Sequence, residues 1–348
     1  MKVIITGAAG FIGGHAAHHF LSQGHAVVGV DNLSRRGNSE NLQWLRGQGE
    51  ELPGSFQFVA GDIRNQTDMD RLFAAHSDTG AVLHLAGQVA VTTSVTNPRM
   101  DFESNALGTL NVLEGVRQFC PDAALIYSST NKVYGGMEQI SIVEKDGRYA
   151  YGDLPRGMPE TTPLDFHSPY GCSKGAGDQY VRDYARIYGL KTVVFRQSCI
   201  YGTRQFGIED QGWVAWFTIA TVLGKKITLY GDGKQVRDVL WVGDLVQLYQ
   251  RAIDQIDRAA GKVFNAGGGA SNAMSLLELL GFLGDLKGSP VHTATADWRP
   301  GDQKVFIADI AKVEAELGWR PTVTPAEGVQ KLWAWTHPNR QLLSEVLG

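Results

Sequence analysis

The chain has 348 residues, of which 43% are hydrophobic and 20% charged, with a formal net charge of -4. This length and composition predict a large cofactor-binding domain with a smaller lobe, and they exclude a disordered chain. The mildly acidic balance argues against a nucleic-acid partner, because binding to a phosphate backbone requires a clustered basic surface.

The first half of the chain alternates short apolar, β-branched runs with amphipathic stretches. Buried strands and intervening helices are predicted in this part of the chain. The strands are predicted at 3–6, 26–31, 56–61, 81–86 and 124–129, and the helices at 11–23, 66–75 and 104–119. Such a βαβ rhythm predicts an α/β fold with a doubly wound parallel sheet and right-handed crossovers.

The pattern changes after Lys191, where one more core strand (192–196) precedes a segment rich in Gly, Trp and Gln. Helices are predicted further on, at 275–283 and 310–317. We expect a dinucleotide-binding domain and a smaller C-terminal substrate-binding lobe, with a polar, Gly-rich insertion (136–163) near the mouth of the active site. The domain is expected to span 1–190 and about 236–260, and the lobe about 191–235 and 261–348.

No sequence feature predicts a metal site, a signal peptide or a membrane span. The three cysteines, Cys120, Cys172 and Cys199, lack CxxC spacing and neighbouring histidine pairs. The amino terminus has no basic region or cleavage site, and no apolar stretch reaches the roughly 18 to 20 residues that cross a bilayer. We therefore expect a cytoplasmic protein with no membrane partner.

Three glycines, Gly7, Gly10 and Gly13, follow the first predicted strand in the sequence GAAGFIG. A side chain at the first would obstruct the turn, one at the second would keep a pyrophosphate away from the backbone, and one at the third would separate the helix from the strand. The amides at the start of the helix would then face the phosphates. A simple tight turn is the alternative, and the surrounding βαβ pattern favours dinucleotide binding.

Asp31 ends the second predicted strand, about 20 residues further on, where a carboxylate can accept hydrogen bonds from ribose hydroxyls and repel a 2'-phosphate. This favours NAD over NADP, although Arg35 and Arg36 leave room for a phosphate partner. Other candidate cofactor contacts follow the glycine turn and the next strands, namely Phe11, Ile12, Asn32, Asp62, Ile63, Leu85, Ala86, Gly87 and Gln88.

Tyr170 and Lys174 form a YxxxK pair in a predicted helix that opens with Ser168 and Pro169. A spacing of four residues places both side chains on one helical face. Because the pKa of an unperturbed tyrosine is about 10, a nearby ammonium and an oxidised nicotinamide are needed to stabilise the phenolate. The pair predicts proton transfer to and from a substrate hydroxyl, with an exposed amphipathic helix as the alternative.

Ser128, Ser129 and Thr130 end the fifth predicted strand, at the edge of the sheet where ligands of open α/β folds bind. Thr130 can hydrogen-bond a sugar hydroxyl there. Such residues also satisfy turn amides, and the edge shared with the glycine turn favours a role in the site.

These segments, GAAGFIG, Asp31, SST, YGCSK and RDVLWVGDL, resemble the extended short-chain dehydrogenases of the nucleotide-sugar epimerase and dehydratase family over nearly the whole chain. The resemblance implies a Rossmann domain that binds NAD and a lobe that binds a nucleotide sugar. It implies that Thr130, Tyr170 and Lys174 are catalytic. It also implies cofactor contacts from Tyr170, Lys174, Asn105, Ser128 and Ser198.

Two residues after Thr130 indicate which reaction of the family to expect. Asn131 and Lys132 stand where the dehydratases and decarboxylases of this family have acidic residues. Neither residue can act as a carboxylate, so elimination is disfavoured. Oxidation of the sugar followed by re-reduction needs only one acid/base group. Epimerisation is therefore the expected reaction.

Within the family, the stretch from STNKVYG through RQSCIYG to RQFGIEDQGWVAWF most resembles the CDP-paratose 2-epimerases, also called CDP-tyvelose epimerases. Galactose 4-epimerases usually have Asn where Cys199 stands, which points away from a C4 reaction. A UDP- or dTDP-sugar 4-epimerase and a non-catalytic NAD-binding sensor remain alternatives. A homodimer or homotetramer is expected, since family members commonly pair through helices of the cofactor domain.

By family position Arg237 and Arg299 are candidate partners of the substrate diphosphate, with surface salt bridges as the alternative. Gln211 and Trp213 are expected to shape the sugar and base site, or to form part of the lobe core. The full set of candidate substrate contacts is Gln88, Thr130, Asn131, Lys132, Cys199, Arg204, Arg237, Arg299 and Asp302.

Overall fold

The computed structural model describes residues 1–299 and 303–348. Its strands, in chain order, are β1 (Lys2–Thr6), β2 (Ala26–Asp31), β3 (Ser55–Ala60), β4 (Ala81–His84), β5 (Ala124–Thr130), β6 (Ile142–Lys145), β7 (Arg148–Tyr151), β8 (Thr192–Gln197), β9 (Cys199–Tyr201), β10 (Ile227–Tyr230), β11 (Val236–Trp241), β12 (Lys262–Ala266), β13 (Ala273–Ser275), β14 (Thr293–Ala296) and β15 (Val305–Phe306).

The helices, in chain order, are α1 (Phe11–Ser22), α2 (Asn38–Glu51), α3 (Gln66–Ala75), α4 (Val91–Thr96), α5 (Pro98–Phe102), α6 (Gly108–Phe119), α7 (Ser168–Tyr188), α8 (Trp213–Leu223), α9 (Val242–Asp254), α10 (Ile256–Ala259), α11 (Leu276–Lys287), α12 (Ala311–Leu317), α13 (Pro325–Thr336) and α14 (Arg340–Leu347). A π-helical turn (Glu103–Leu107) precedes α6, and 3-10 turns occupy Asn131–Tyr134 and Ala270–Asn272.

Seven parallel strands form the central sheet in the order β3-β2-β1-β4-β5-β8-β12. The chain order reverses between β1 and β4, which is the point where ligands of doubly wound sheets bind. Successive side chains of β1 serve opposite layers: Ile5 packs with the layer that contains α1 and α9, and Ile4 with the layer that contains α3 and α6. The predicted α/β, doubly wound parallel fold is confirmed.

The smaller lobe has its own apolar core, built from α8, α11, α13 and α14. Its strands form a parallel pair, β10 with β14, and a small sheet in which β11 pairs with β9, β13 and β15. The polar insertion at 136–163 contains the antiparallel hairpin β6–β7, for which the sequence pattern predicted no element.

Two strands of the central sheet fall within the ranges that the sequence assigned to the smaller lobe. β8 pairs with β5, and β12 pairs with β8 at the edge of the sheet. The five residues of β12 carry no period that distinguishes a strand from a short buried turn, so only their pairing identifies them. We propose that the cofactor domain includes both strands.

The remaining differences from the predicted elements are at their ends. The predicted helix 104–119 is a π-helical turn followed by α6, and the predicted strand 81–86 ends at His84. In the described part of the chain, no helix combines the length and the hydrophobicity needed to span a membrane.

The side chain of Phe264, on β12, is fully buried among residues of the cofactor domain. A substitution there tests whether β12 belongs to the core of that domain. We expect Phe264→Ala to lower the free energy of unfolding by about 3–5 kcal/mol, the cost of a large cavity in a core. Chemical denaturation measures it. Phe282→Ala, at a side chain that is 38% exposed in the other lobe, is the control and is expected to cost about 1 kcal/mol or less. Equal costs would contradict this placement of β12.

Candidate active site

The glycine turn between β1 and α1 is shaped by close backbone contacts. Gly7 has a φ of 73° and donates to the Val30 carbonyl oxygen at 2.7 Å. A Cβ atom at Gly7 would lie 2.7 Å from the Ala86 nitrogen, and one at Gly13 would lie 2.0 Å from the Gly7 carbonyl oxygen. α1 begins after Gly10, which has no side chain to cap the first amides. The turn therefore leaves these amides facing the sheet edge.

A cavity of about 560 Å³ opens at this turn, along the carboxyl edge of β1 to β4. The structure brings together most of the predicted cofactor contacts as its lining, namely Gly7, Gly10, Phe11, Ile12, Gly13, Asp31, Asn32, Asp62, Ile63, Leu85, Ala86, Gly87 and Gln88. We call it the catalytic-edge cavity. Its size and its concave mixture of backbone, apolar and charged groups suit a small organic ligand.

The carboxylate of Asp31 is held in one orientation at the end of β2. It accepts hydrogen bonds from the Ala9 amide at 3.1 Å, the Leu33 amide at 2.8 Å and the Asn38 side chain at 3.1 Å. Oδ2 receives only the first of these among the described residues, so it keeps capacity for a ligand hydroxyl. Arg35 lines the same cavity and donates to Gln211 at 2.6 Å.

Asp62, after β3, is a second fixed carboxylate of this cavity. It receives hydrogen bonds from the Asn32 side chain at 3.0 Å and from the Arg64 guanidinium. These bonds, that from Arg64 above all, lower the pKa of Asp62 to about 2, so the group is ionised at neutral pH.

Tyr170 and Lys174 lie one turn apart on the buried face of α7, with exposed fractions of 8% and 6%. The Thr130 hydroxyl, at the end of β5, lies close enough to the Tyr170 phenol to favour its ionised form. The Lys174 ammonium donates to the Ser128 carbonyl oxygen and lies 4.4 Å from the centre of the Tyr127 ring. The three predicted catalytic residues thus meet where α7 passes the carboxyl end of β5.

Burial dominates the electrostatics of this triad. It raises the pKa of Tyr170 to about 12, against the opposing effects of the Thr130 hydrogen bond and the Arg35 charge. It lowers the pKa of Lys174 from 10.5 to about 7, while Asp178 and Asp101 favour the ammonium. In the unliganded protein the phenol is therefore protonated at neutral pH, and the lysine loses its proton readily.

Asn105 connects the cofactor loop to the catalytic helix from within the π-helical turn. Its side-chain oxygen accepts a hydrogen bond from the backbone amide of Gln88 at 3.0 Å. Its side-chain nitrogen donates to the side chains of Asp101 and Ser173, both at 3.1 Å. Ser173 also donates to Asp101 at 2.5 Å. Each contact positions a loop or helix rather than a ligand, so Asn105 has a supporting role in this structure.

Asp101 belongs to this network and was missed by the sequence reasoning. Its side chain is fully buried, it accepts from the Gln88 side chain at 3.0 Å, and burial raises its pKa. Its spacing of four residues before Asn105 places both groups on one helical face, and that spacing was the available signal.

Ser198 and Cys199 occupy the junction between the two parts of the molecule. The Ser198 amide donates to the Ala266 carbonyl oxygen at 2.9 Å, and its hydroxyl donates to Asp238, a buried carboxylate that the sequence reasoning also missed. Burial raises the pKa of Asp238 to about 6. Cys199 is half-buried beside Trp213 and Arg237, and desolvation raises the pKa of its thiol.

Asn131 and Lys132 form the 3-10 turn after Thr130, as expected beside the catalytic group. Asn131 accepts from the Thr130 hydroxyl at 3.3 Å, and Lys132 donates to the Gln303 side chain at 3.3 Å. The charge of Lys132 also acts on Cys199, so the structure brings these predicted substrate contacts near one another.

The other predicted substrate arginines have different surroundings. Arg237, on β11, donates to the Val236 carbonyl oxygen at 2.8 Å and lies close enough to Cys199 to influence its thiol. The Arg299 guanidinium stacks 3.9 Å from the centre of the Tyr230 ring and pairs with Asp210 at 3.0 Å.

Arg204 makes its contacts with the cofactor domain, because its guanidinium stacks 4.2 Å from the centre of the Trp44 ring on α2. Burial lowers the pKa of Arg204 to about 10. The structure therefore does not bring Arg204 to the catalytic residues, and its predicted substrate contact has no support from these neighbours. Asp302 lies outside the described residues.

A segment of the smaller lobe, 204–212, closes over the cofactor side of the cavity. Ile208 and Gln211 line the cavity, and Phe206 packs so closely on Gly37 that a Cβ atom there would lie 2.2 Å from its ring. Gln211 was predicted to shape the sugar site, but its hydrogen bond to Arg35 places it against the cofactor-side loop. No group of three or more His, Cys, Asp or Glu side chains able to hold a metal ion occurs among residues 1–299 and 303–348.

We compared the sequence and the structure of this chain with those of known proteins. A model of the GDP-mannose 4,6 dehydratase family matches residues 4–332. The chain belongs to this family. The expected membership in the extended short-chain dehydrogenases that act as nucleotide-sugar epimerases and dehydratases is confirmed.

Among curated relatives of this GDP-mannose 4,6 dehydratase family member, CDP-paratose 2-epimerase of Salmonella typhi is 50% identical over 97% of this chain and 99% of its own. Among solved structures, UDP-glucose 4-epimerase of Thermotoga maritima with UDP-glucose is 31% identical, with a TM-score of 0.83 over 97% of this chain and 99% of its own. UDP-glucuronic acid 4-epimerase of Bacillus cereus, in complex with UDP-glucuronic acid and NAD, is 29% identical, with a TM-score of 0.81 over 98% and 100%.

The lowered pKa of Lys174 predicts a pH dependence of stability in the unliganded protein. Between pH 7 and the ordinary lysine pKa the unfolded chain binds more protons than the folded one, so the free energy of unfolding rises with pH. Relative to Lys174→Met, we expect the wild-type value to rise by about 2 kcal/mol from pH 7 to pH 9 in denaturant titrations. The exposed Lys226→Met is the control and should rise like wild type. Parallel curves for wild type and Lys174→Met would contradict the buried, proton-releasing lysine.

Proposed function

We propose that this protein is an NAD-dependent epimerase of a nucleotide sugar. Its substrate is a CDP-hexose of the CDP-paratose/CDP-tyvelose or CDP-glucose type, whose C2 it inverts through transient oxidation to a 2-keto sugar and re-reduction. The observation that carries the proposal is the buried Thr130, Tyr170 and Lys174 cluster followed by Asn131 and Lys132. The relative that is 50% identical over nearly the full length bears the name CDP-paratose 2-epimerase.

The residues of the catalytic-edge cavity fit a dinucleotide. The contacts that exclude a Cβ atom at Gly7 and Gly13 keep the turn close-packed, which brings the amides of α1 to a diphosphate. Asp31 Oδ2 is available to a ribose hydroxyl and its charge disfavours a 2'-phosphate. Because Arg35 is engaged with Gln211, NAD is the better match. When bound, NAD accepts the sugar hydride and returns it.

The acid/base work falls to Tyr170, which takes the proton of the C2 hydroxyl and later gives it back. Its phenol needs positive charge nearby, since its pKa is about 12, mainly because of burial. Lys174, one turn away on the same buried face, supplies that charge when it is protonated, and a phenolate in turn favours the ammonium. Thr130, beside the phenol, orients the sugar hydroxyl.

Asn131 and Lys132 supply no second carboxylate beside Thr130, so no residue there can remove a proton at a neighbouring carbon. Elimination of water is disfavoured for that reason. Inversion requires the 2-keto sugar to turn over while its diphosphate stays bound. Arg237 and Arg299 are the proposed diphosphate partners, with Gln88, Cys199 and the lobe residues around them as the proposed sugar and base contacts.

A UDP- or dTDP-sugar 4-epimerase is the second candidate, favoured by the 31% identity to the UDP-glucose 4-epimerase of Thermotoga maritima. The remaining alternative, a non-catalytic NAD-binding sensor, has no use for a buried proton-transfer tyrosine. We also propose that the protein works in the cytoplasm as a homodimer or homotetramer, with a nucleotide sugar as partner and neither nucleic acid nor membrane.

Incubation of the protein with CDP-paratose or CDP-glucose, followed by proton NMR of the sugar, tests the reaction. We expect inversion at C2 without lasting accumulation of NADH. Tyr170→Phe should bind ligand but lose at least about a hundred-fold in rate, the usual contribution of a general acid/base group. Inversion only at C4, or only with UDP-glucose, would remove the 2-epimerase and keep the epimerase. Equal turnover by Tyr170→Phe would remove the assigned mechanism.

Two neighbouring glycines of α1 test the cofactor site. A Cβ atom at Gly13 would clash with the Gly7 carbonyl oxygen, whereas one at Gly14 would lie 3.6 Å from the Trp44 ring. We expect Gly13→Ala to weaken NAD binding by at least roughly ten-fold, since the turn must open, and Gly14→Ala to leave it within about two-fold. Calorimetric titration with NAD measures both, and thermal unfolding checks that each variant is folded. Equal affinities for both variants would place NAD elsewhere.

A further inference from the structure

A second cavity, of about 470 Å³, lies beside the edge strand β12, enclosed by α7, α12 and the end of the polar insertion. It shares no lining residue with the catalytic-edge cavity in the described part of the chain. Five basic side chains line it: Arg156, Arg182, Arg196, Lys262 and Lys312. We call it the basic cavity.

Three of these cations have carboxylate partners. Arg196 binds Asp178 through two hydrogen bonds, of 2.9 and 3.1 Å, in a pair that is almost fully buried. Lys262 pairs with Glu316 at 2.7 Å and Arg156 with Asp309 at 3.3 Å, both closer to solvent.

Arg182 and Lys312 have no such partner, since no carboxylate of the described residues lies within 4.0 Å of either group. Lys312 donates to the Val263 carbonyl oxygen at 2.8 Å, and Arg182 donates to the Gln179 side chain at 3.2 Å. Both acceptors are neutral, so neither charge is in direct contact with a carboxylate of the described residues. Asp178 acts on Arg182, and Glu160 on Lys312, only at longer range.

The Arg182 guanidinium also carries an unsatisfied donor. Its Nε atom is buried and has no hydrogen-bond partner within the part of the chain that the structure describes. Burial and repulsion from Arg186 and Arg196 lower the pKa of Arg182. A buried donor without an acceptor is costly, and an oxyanion would both accept its hydrogen bond and offset the clustered charge.

The acidic lining offers little competition for such an anion. Asp309 is already paired with Arg156. Glu160 accepts a hydrogen bond from the Asn265 amide at 2.7 Å, and burial raises the pKa of its carboxyl group. The balance of charge in the cavity is therefore positive around Arg182 and Lys312.

We infer that the basic cavity is a second ligand site, which binds a phosphorylated small molecule through Arg182 and Lys312. A guanidinium fork matches two phosphate oxygens, and an ammonium adds a point charge. The volume falls within the range of small-molecule sites and exceeds what one phosphate group fills. A single water molecule would satisfy Nε of Arg182, but it would bring no negative charge to Arg182 and Lys312.

Calorimetric titration of the protein with inorganic phosphate, in the presence of saturating NAD, tests the site. Potassium chloride at matched ionic strength is the control for screening. We expect saturable phosphate binding that Arg182→Gln and Lys312→Gln each weaken by roughly ten-fold or more, as for loss of a charged hydrogen bond. Arg340→Gln removes the same charge from an exposed position on α14, outside the cavity lining, and should bind like wild type.

Thermal unfolding separates a binding defect from a folding defect. If Arg182→Gln unfolds at a lower temperature than wild type, Arg182→Lys replaces it. This variant keeps the positive charge but lacks the guanidinium fork, so we expect phosphate affinity between those of wild type and Arg182→Gln. Phosphate binding no stronger than that of chloride, or equal binding by Arg182→Gln and Arg340→Gln, would overturn the site. Neither readout depends on epimerase activity, so the two proposals fail independently.

Discussion

Lys174 and Asp178 lie one turn apart on the buried face of α7, and Arg196 of β8 pairs with Asp178 there. The arrangement of the protein's centre depends on how these three buried charges are compensated. Asp178 receives two hydrogen bonds from Arg196 and one from the Ser129 hydroxyl at 2.8 Å, which satisfies a carboxylate that no solvent reaches. Loss of one partner of such a pair typically costs about 3–5 kcal/mol, because the other charge stays buried and unpaired. The pair therefore ties β5, α7 and β8 together.

The same carboxylate affects the charge of Lys174, the proposed catalytic lysine. Desolvation of Lys174 works against its positive charge, and Asp178 is the largest influence that restores it, ahead of Asp101. The balance brings the pKa of the lysine to about 7, where its charge responds to the charge of its neighbour. Asp178 thus both compensates the buried charge of Arg196 and favours the charged form of Lys174. A change at Asp178 would therefore disturb the core as well as the proposed site.

Arg196 also lines the basic cavity, so this cavity borders the buried ion pair, whereas the catalytic-edge cavity is lined by other residues. They handle anions by different means. The catalytic-edge cavity offers backbone amides at a glycine turn and one oriented carboxylate, which suits a bound dinucleotide. The basic cavity offers guanidinium and ammonium groups, which suit a small, exchangeable phosphate.

Short-range patterns in the sequence were sufficient for the glycine turn, the βαβ rhythm and the YxxxK pair, because each depends on residues within one turn or one strand–helix unit. They could not reveal β12, since a five-residue strand is identified only by its pairing with β8. Asp238 was also beyond reach, because its significance comes from burial and from a partner far away in the chain. Only the spacing of Asp101 from Asn105 pointed to Asp101, and its burial and its bond to Ser173 depend on the tertiary structure.

Arg204 shows the same limit from the opposite direction. Its position suggested a substrate contact, which stays a prediction, and the tertiary structure shows that its guanidinium stacks on Trp44, about 160 residues earlier in the chain. Local sequence therefore determined which chemistry the chain can carry, whereas the packing of distant elements decided which polar groups are buried, paired or left facing a cavity. The reason is physical: periodicity and turn chemistry act over a few residues, while desolvation and ion pairing depend on what the rest of the chain places beside a group.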